Sequence, residues 1–357
     1  MMNKYFRKLL AGSILVLSGG QLAFGQNLIT RDEDWTSINL TVTDELVIPA
    51  YQNLEARSMA LVGATENFCS DLNAANLLVL KDAYLQSMAA WQAVQHIQFG
   101  PISYFNWNYR MQYWPDERGT SGRQLDAIIA AGDEAILSGN SFARQSVGVQ
   151  GLPALERILY ADSELVEFQN NDYLCLLSAT IASNISEISS GVTQRWVDEY
   201  RALVQEPAAD GLYENAEDLS IDFLKALQES IAKIRDLKLA PVIGETFNAS
   251  RNRAAESWRS ENSLANIKNN IDSLELLFSA YMAAFHEEDG AAVMSVFSEL
   301  KQILNDLPDS LSAALESEQQ YAQLQTLYAE VDALHEALET ALKNTDLYLG
   351  FNSLDGD

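Results

Sequence analysis

The chain is short of histidine, cysteine and proline: its 357 residues include 3, 2 and 7 of them. Three histidines leave few nitrogen ligands for zinc, and the helix His-Glu-x-x-His, which sets zinc beside a general base in many metallopeptidases, is missing. Pro207 and Pro308 lie between apolar stripes, so proline seldom interrupts a helix. No run alternates long enough to predict a substantial sheet. Basic residues are scarce as well, with 23 Lys and Arg against 50 Asp and Glu and a net charge of −27. A field of that sign excludes nucleic acid and anionic membrane surfaces as partners and attracts cations and cationic ligands, although an acidic surface also serves solubility alone.

Long apolar runs are confined to the start. In "MMNKYFRKLLAGSILVLSGGQLAFGQ" a basic opening (Lys4, Arg7, Lys8) precedes the apolar run Leu9 to Leu17 and a small-residue ending at Ala23-Phe24-Gly25. This predicts a secretory signal over residues 1–25, too short for a membrane span. No cysteine follows Gly25 closely enough for a lipid anchor, so the expected product is an exported protein at the periplasm or surface of a bacterium. In an oxidising compartment the even pair Cys69 and Cys175 is expected to form a disulfide.

The remaining chain reads as helix. From Asn171 to Val204, apolar residues recur every three or four positions (Leu174, Leu177, Ile181, Ile185, Ile188, Val192, Trp196, Tyr200, Leu203), which predicts one long amphipathic helix. Similar stripes run over residues 43–68, 74–98, 124–137, 216–237, 263–285, 291–304 and 310–342. The expected fold is therefore all-α, as packed bundles. The Pro- and Gly-containing segment 207–215 predicts a linker between an N-terminal lobe, 26–206, and a C-terminal lobe, 216–357.

Three short stretches carry candidate chemistry. In "VGVQGLPALERILYA" the glycines Gly148 and Gly151 free the backbone to turn, Pro153 suits a first helical turn, and Glu156 stands as the one carboxylate in an apolar segment. Glu156 reads either as a charge that complements the helix dipole or as a ligand or proton carrier. In "WQAVQHIQFGPISYFNWNYRMQYWPDERG" a helix carrying Gln92 and His96 on one face ends at Gly100-Pro101, and Arg110, Trp114, Asp116 and Arg118 follow in an aromatic-rich loop that suits a small cavity wall. In "AAESWRSENSLANI" Glu256, Arg259, Ser260 and Ser263 precede a long helix. Ser260 or Ser263 is placed to cap that helix, and Arg259 to grip a carboxylate or other anion through its planar fork.

The order "FC…W…VQHIQFGPI…YWPDERG…QGLPALE…C…WRSENSL", behind a leader in an acidic helical chain, resembles the imelysin family of exported insulin-cleaving-protease-like and iron-regulated proteins. The resemblance covers nearly all of the chain past the leader. It implies two helical-bundle lobes in a duplicated four-helix arrangement, with the functional site between them, together with surface or periplasmic location and a link to iron uptake. Family members assigned as metal binders or metallopeptidases carry Gly-x-His-x-x-Glu where this chain has Gly151-Leu152-Pro153-Ala154-Leu155-Glu156. Pro153 offers no donor atom in place of that histidine, so Glu156 is half a motif.

A metal would then be held by Glu156, His96 and Asp116, with Glu256 as a further oxygen donor in reserve, an oxygen-rich set that suits ferric or calcium ion better than zinc. His286 and His335 read as helix-end and packing residues. Ligand-binding candidates are His96, Arg110, Trp114, Asp116, Arg118, Gly151, Glu256, Arg259 and Ser260. Three functions stay open: an exported binding protein for a metal ion or small ligand linked to iron acquisition, a helical scaffold contacting another exported or envelope protein, and a metallopeptidase-like protein.

Overall fold

A computed structural model describes residues 32–308, 310–345 and 347; the expected leader lies outside them. Those residues form helices and connecting turns with no β-strand among them. The N-terminal half holds α1 (Asp32–Thr41), α2 (Ile48–Ser70), α3 (Ala74–Gln92), α4 (Trp107–Met111), α5 (Thr120–Ala131), α6 (Gly139–Ala143), α7 (Leu152–Leu159), α8 (Glu164–Asn170), α9 (Asp172–Arg195) and α10 (Arg201–Gln205). The C-terminal half holds α11 (Ala216–Lys233), α12 (Ala240–Ile243), α13 (Ser263–Ala280), α14 (Glu287–Asp306), α15 (Leu311–Ala314) and α16 (Glu318–Lys343). No helix among the described residues is long and apolar enough to cross a membrane.

Side-chain caps start the long helices where the stripes begin. Asn73 accepts from the Asn76 amide at 2.9 Å, Asn171 from Tyr173 at 3.1 Å and Asn215 from Asp218 at 3.0 Å, each satisfying an amide that lacks an intrahelical partner. Helices α2, α3, α7 and α9 pack as one bundle, and α11, α13, α14 and α16 as a second. A disulfide joins Cys69 at the end of α2 to Cys175 at the start of α9.

The two bundles share one apolar core, which runs from Trp35 to Leu342. Helix α1 precedes the linker in sequence but packs on α11 beyond it. Its fully buried Asn39 donates to the Ala216 carbonyl at 2.7 Å and accepts from the Ser220 hydroxyl at 2.8 Å and the Tyr281 hydroxyl at 2.6 Å. The boundary at 207–215 is thus a break between helices and not a break in the packing.

Several helix ends differ from the periodic reading. Helix α3 stops at Gln92, and residues 93–96 form turns, so Gln92 and His96 do not share a helical face. The apolar Val94 and Ile97 continued the stripe because they enter the core from a turn. The long 171–204 helix is interrupted by a π-helical turn at Trp196–Tyr200. A π turn takes up an extra residue, so beyond it Val204 is buried while Leu203 is exposed. Another π turn, Ile234–Leu239, follows α11 and carries the buried Lys238.

Candidate functional site

Helix α7 begins after Gly151, with Pro153 in its first turn, and Glu156 is buried one turn further on. The chain must pass very close to α4 to start there: a Cβ on Gly151 would stand 2.2 Å from the Met111 carbonyl oxygen and 2.4 Å from that of Arg110. The glycine serves this backbone approach and does not line the cleft, which corrects its place among the ligand-binding candidates.

Glu156 meets the other half of the chain. Its Oε1 accepts from the Ser260 amide at 2.9 Å and from the Ser260 hydroxyl at 2.8 Å. Oε2 has no hydrogen-bond partner among the described residues, and the side chain lines a cleft of about 700 Å³. Burial pushes the Glu156 carboxyl above the usual carboxylate range, against the opposing pull of the Ser260 hydrogen bonds and the Arg259 charge. Ser260 does not cap α13. The residue at that cap position is Asn262, which makes no side-chain cap bond, and the Ser263 hydroxyl instead donates to the Glu256 carbonyl.

Behind this wall lies a buried polar cluster. Lys238 is 2.9 Å from Glu256 and also donates to Gln92 Oε1 at 2.8 Å and Asn270 Oδ1 at 2.7 Å. Glu256 further accepts from Gln112 at 2.8 Å and Asn266 at 2.9 Å. Burial lowers the Lys238 pKa, and the Glu256 charge opposes that shift. A buried ion pair survives only when such hydrogen bonds occupy its remaining donors and acceptors. Glu256 borders the cleft, but both of its oxygens are already engaged.

The WPD loop supplies the facing wall. Trp114 and Asp116 line the cleft. Asp116 accepts from the Thr120 amide and hydroxyl, each at 3.0 Å, and from the Ser121 amide at 2.8 Å, thereby holding the start of α5. Burial works to raise its pKa, but these hydrogen bonds win and hold it below the usual range. Arg110 turns away to Gln150 at 2.8 Å and Asn184 at 2.5 Å, while Arg118 is exposed and outside the cleft wall. Neither contributes to the cleft as expected.

His96 is also elsewhere. It borders a separate small cavity of about 40 Å³ with Lys238 and Asn270, and its Nδ1 is buried without a hydrogen-bond partner. Burial lowers its pKa from 6.5 to about 4. The proposed ligand set of Glu156, His96 and Asp116 is therefore not assembled, and no group of three His, Cys, Asp or Glu side chains among the described residues is arranged to hold a metal ion. Glu156 has only Oε2 left for a cation, Pro153 has no donor, and Asp116 and Glu256 are engaged elsewhere, so these residues do not fit a bare cation.

Two features of the site went unread in sequence. Lys238 sits in an apolar stripe, "IRDLKLAPVI", where a single lysine gives no signal of burial. Arg251 and Arg253 were detectable: with Arg259 they form a dense basic run in an acidic chain.

The architecture defines a class first: an all-helical protein of two fused bundles with a cleft lined by residues of both halves. The family model described as Imelysin matches residues 47–338, and the chain belongs to the imelysin family. Iron-regulated protein A of Synechococcus elongatus is 22% identical over 266 residues, 72% of this chain and 67% of the relative. Among solved structures, an imelysin-like protein from Psychrobacter arcticum has a TM-score of 0.74 at 18% identity, covering 91% of this chain and 99% of that one. An iron-regulated protein A precursor from Parabacteroides distasonis has a TM-score of 0.66 at 16% identity, covering 87% and 96%. These structural likenesses establish the shared helical fold.

Proposed function

We propose that the protein is an exported ligand-binding protein linked to iron acquisition, and that it takes a small ligand in the cleft bordered by Glu156, Trp114 and Arg259. The observation that carries this reading is a buried carboxylate from one half of the chain held by Ser260 of the other, at the wall of a cavity large enough for a small molecule. Keeping a carboxylate desolvated costs stability, and groups perturbed in this way concentrate at functional sites. The leader-like start supports export, and the iron-regulated relatives support the link to iron. Because the donor set does not fit a bare cation, any iron would arrive within a larger ligand.

The test is mass spectrometry and elemental analysis of small molecules released from protein purified from its own exported fraction. The reading expects one compound at near-stoichiometric amount in wild type and its loss in Glu156→Gln. Protein without any bound compound would contradict it.

A further inference from the structure

Next to the Glu156 wall lies a second cavity of about 1120 Å³ that shares lining with the cleft, and Arg157, Arg251, Arg253, Trp258 and Arg259 border both. Arg157, Arg251, Arg253 and Arg259 all stand on the wall of this larger space. So many guanidinium groups in one place are unexpected in a chain with 23 basic and 50 acidic residues.

The pairing of these arginines is more telling than their number. Arg157 has a carboxylate partner, Asp126 at 3.0 Å. Among the described residues Arg251, Arg253 and Arg259 form no ion pair. Arg253 and Arg259 instead lie against Trp258, with guanidinium carbons 5.2 and 4.4 Å from a ring centroid. Such contact holds a guanidinium in place and leaves its in-plane N–H groups for an oxyanion. Burial and the like charges of Arg157 and Arg253 lower the Arg259 pKa, against the pull of Glu156 and Asp126.

The backbone beneath is pinned. The Arg251 amide donates to the Val242 carbonyl at 2.8 Å, the Ala254 amide to the Arg251 carbonyl at 3.0 Å, and the Asn252 side chain to the Ser312 hydroxyl at 2.6 Å. Arg251 and Arg253 are thus presented on a strap tied to α12 and α15. Four carboxylates share the cavity wall: Asp126, Asp162, Glu167 and Glu261. They repel an extended polyanion and leave the arginine forks to a ligand small enough to sit between them.

We propose that this cavity binds a small oxyanion ligand, carrying carboxylate or phosphate groups, through Arg251, Arg253 and Arg259. The inference rests on the reading of the cleft as a ligand site and names the chemistry of its occupant. Arginine recognises both groups through the same paired N–H geometry.

The experiment is isothermal titration calorimetry of the full chain at low ionic strength with citrate, ferric citrate and inorganic phosphate, and with glucose as a neutral control. Wild type, Arg251→Gln/Arg253→Gln and Arg259→Lys are compared. Arg251 and Arg253 are exposed, so the double variant folds, and its melting midpoint is measured alongside to check this. At least one anion is expected to bind wild type and to weaken by roughly tenfold or more in each variant, because Lys keeps the charge but loses the fork. Citrate, ferric citrate and phosphate, compared, tell a free carboxylate from its iron chelate and from phosphate. Absence of binding by all three, or binding that the substitutions leave unchanged, overturns the proposal. The small-molecule extract of the exported fraction is titrated in parallel against wild type and Glu156→Gln. Binding of the extract that depends on Glu156, with no anion binding, removes the oxyanion assignment and leaves the cleft reading standing; binding of neither removes both.

Discussion

Glu156 and Ser260, 104 residues apart, are joined by two hydrogen bonds to the same carboxylate oxygen. This contact clamps the start of α7 to the segment before α13, and it holds a carboxylate at the boundary of core and cleft. A glutamine at position 156 keeps an acceptor oxygen for Ser260 and removes the buried charge.

The first prediction follows from that difference. Burial raises the folded-state pKa of Glu156 above its unfolded value, so the folded protein holds this proton more tightly. The ionised group therefore costs stability above the folded pKa, and the cost is relieved as pH falls through it. Without ligand, Glu156→Gln is expected to be as stable as wild type or more so at pH 7, with the advantage shrinking on acidification. Thermal midpoints of both proteins across that range check this; a variant less stable at neutral pH than in acid, relative to wild type, would contradict it.

His96 behaves with the opposite sign. Its folded-state pKa is lowered from 6.5 to about 4 by burial, so between those values the unfolded chain takes up a proton that the folded protein resists. Stability should fall as pH drops through this window, by on the order of 3 kcal/mol in total. Urea unfolding of wild type and His96→Phe at several pH values measures it. The variant should lose that part of the acid sensitivity.

The Lys238–Glu256 pair sets a third expectation. Replacing one partner leaves the other charged and buried, at a cost of about 3–5 kcal/mol. Lys238→Met and Glu256→Gln should each reach that range, while the double variant should cost less than their sum. A double-mutant cycle by denaturant unfolding reads the coupling, and simple additivity would show that the pair does not act as a unit.

These groups also show how far the sequence could be read. The apolar stripes identified the long helices because a 3.6-residue period survives whatever the helices pack against. They missed the end of α3, because Val94 and Ile97 serve the core from a turn, and they missed the π turn that exchanges Leu203 for Val204. Glu156, Arg259 and Ser260 stood out as polar residues in apolar or aromatic surroundings. Their pairing did not, since hydrogen bonding between Glu156 and Ser260 depends on how two bundles dock and leaves no local pattern. His96 is a ligand candidate through its place in the family-like segment VQHIQFGPI; in the fold it is a buried side chain whose pKa burial lowers.

The bridge between Cys69 and Cys175, spanning 106 positions, ties α2 to α9 inside the first bundle. Closing a loop of that size stabilises the fold by about 4.7 kcal/mol in the chain-entropy model. Thiol titration of the unfolded, unreduced protein should detect no free thiol, and reduction should lower the denaturant midpoint. Two reactive thiols would remove the bridge from the account.

Gly151→Ala tests the close approach of α7 to α4. With backbone carbonyls 2.2 and 2.4 Å from the added methyl group, a shift of the chain is unavoidable, and overpacking of this kind costs about 1–3 kcal/mol. The loss should appear in the unfolding free energy. A neutral substitution would show that the two segments are less tightly apposed.

The central claim is that Glu156 faces a ligand in the cleft and does more than complement a helix dipole. The most direct measurement is the thermal midpoint of wild type and Glu156→Gln, each with and without the small-molecule extract of the exported fraction. The account predicts that the extract raises the wild-type midpoint and leaves that of the variant in place, since a ligand stabilises only the folded state that binds it. Equal shifts in the two proteins, or none in wild type, would contradict it.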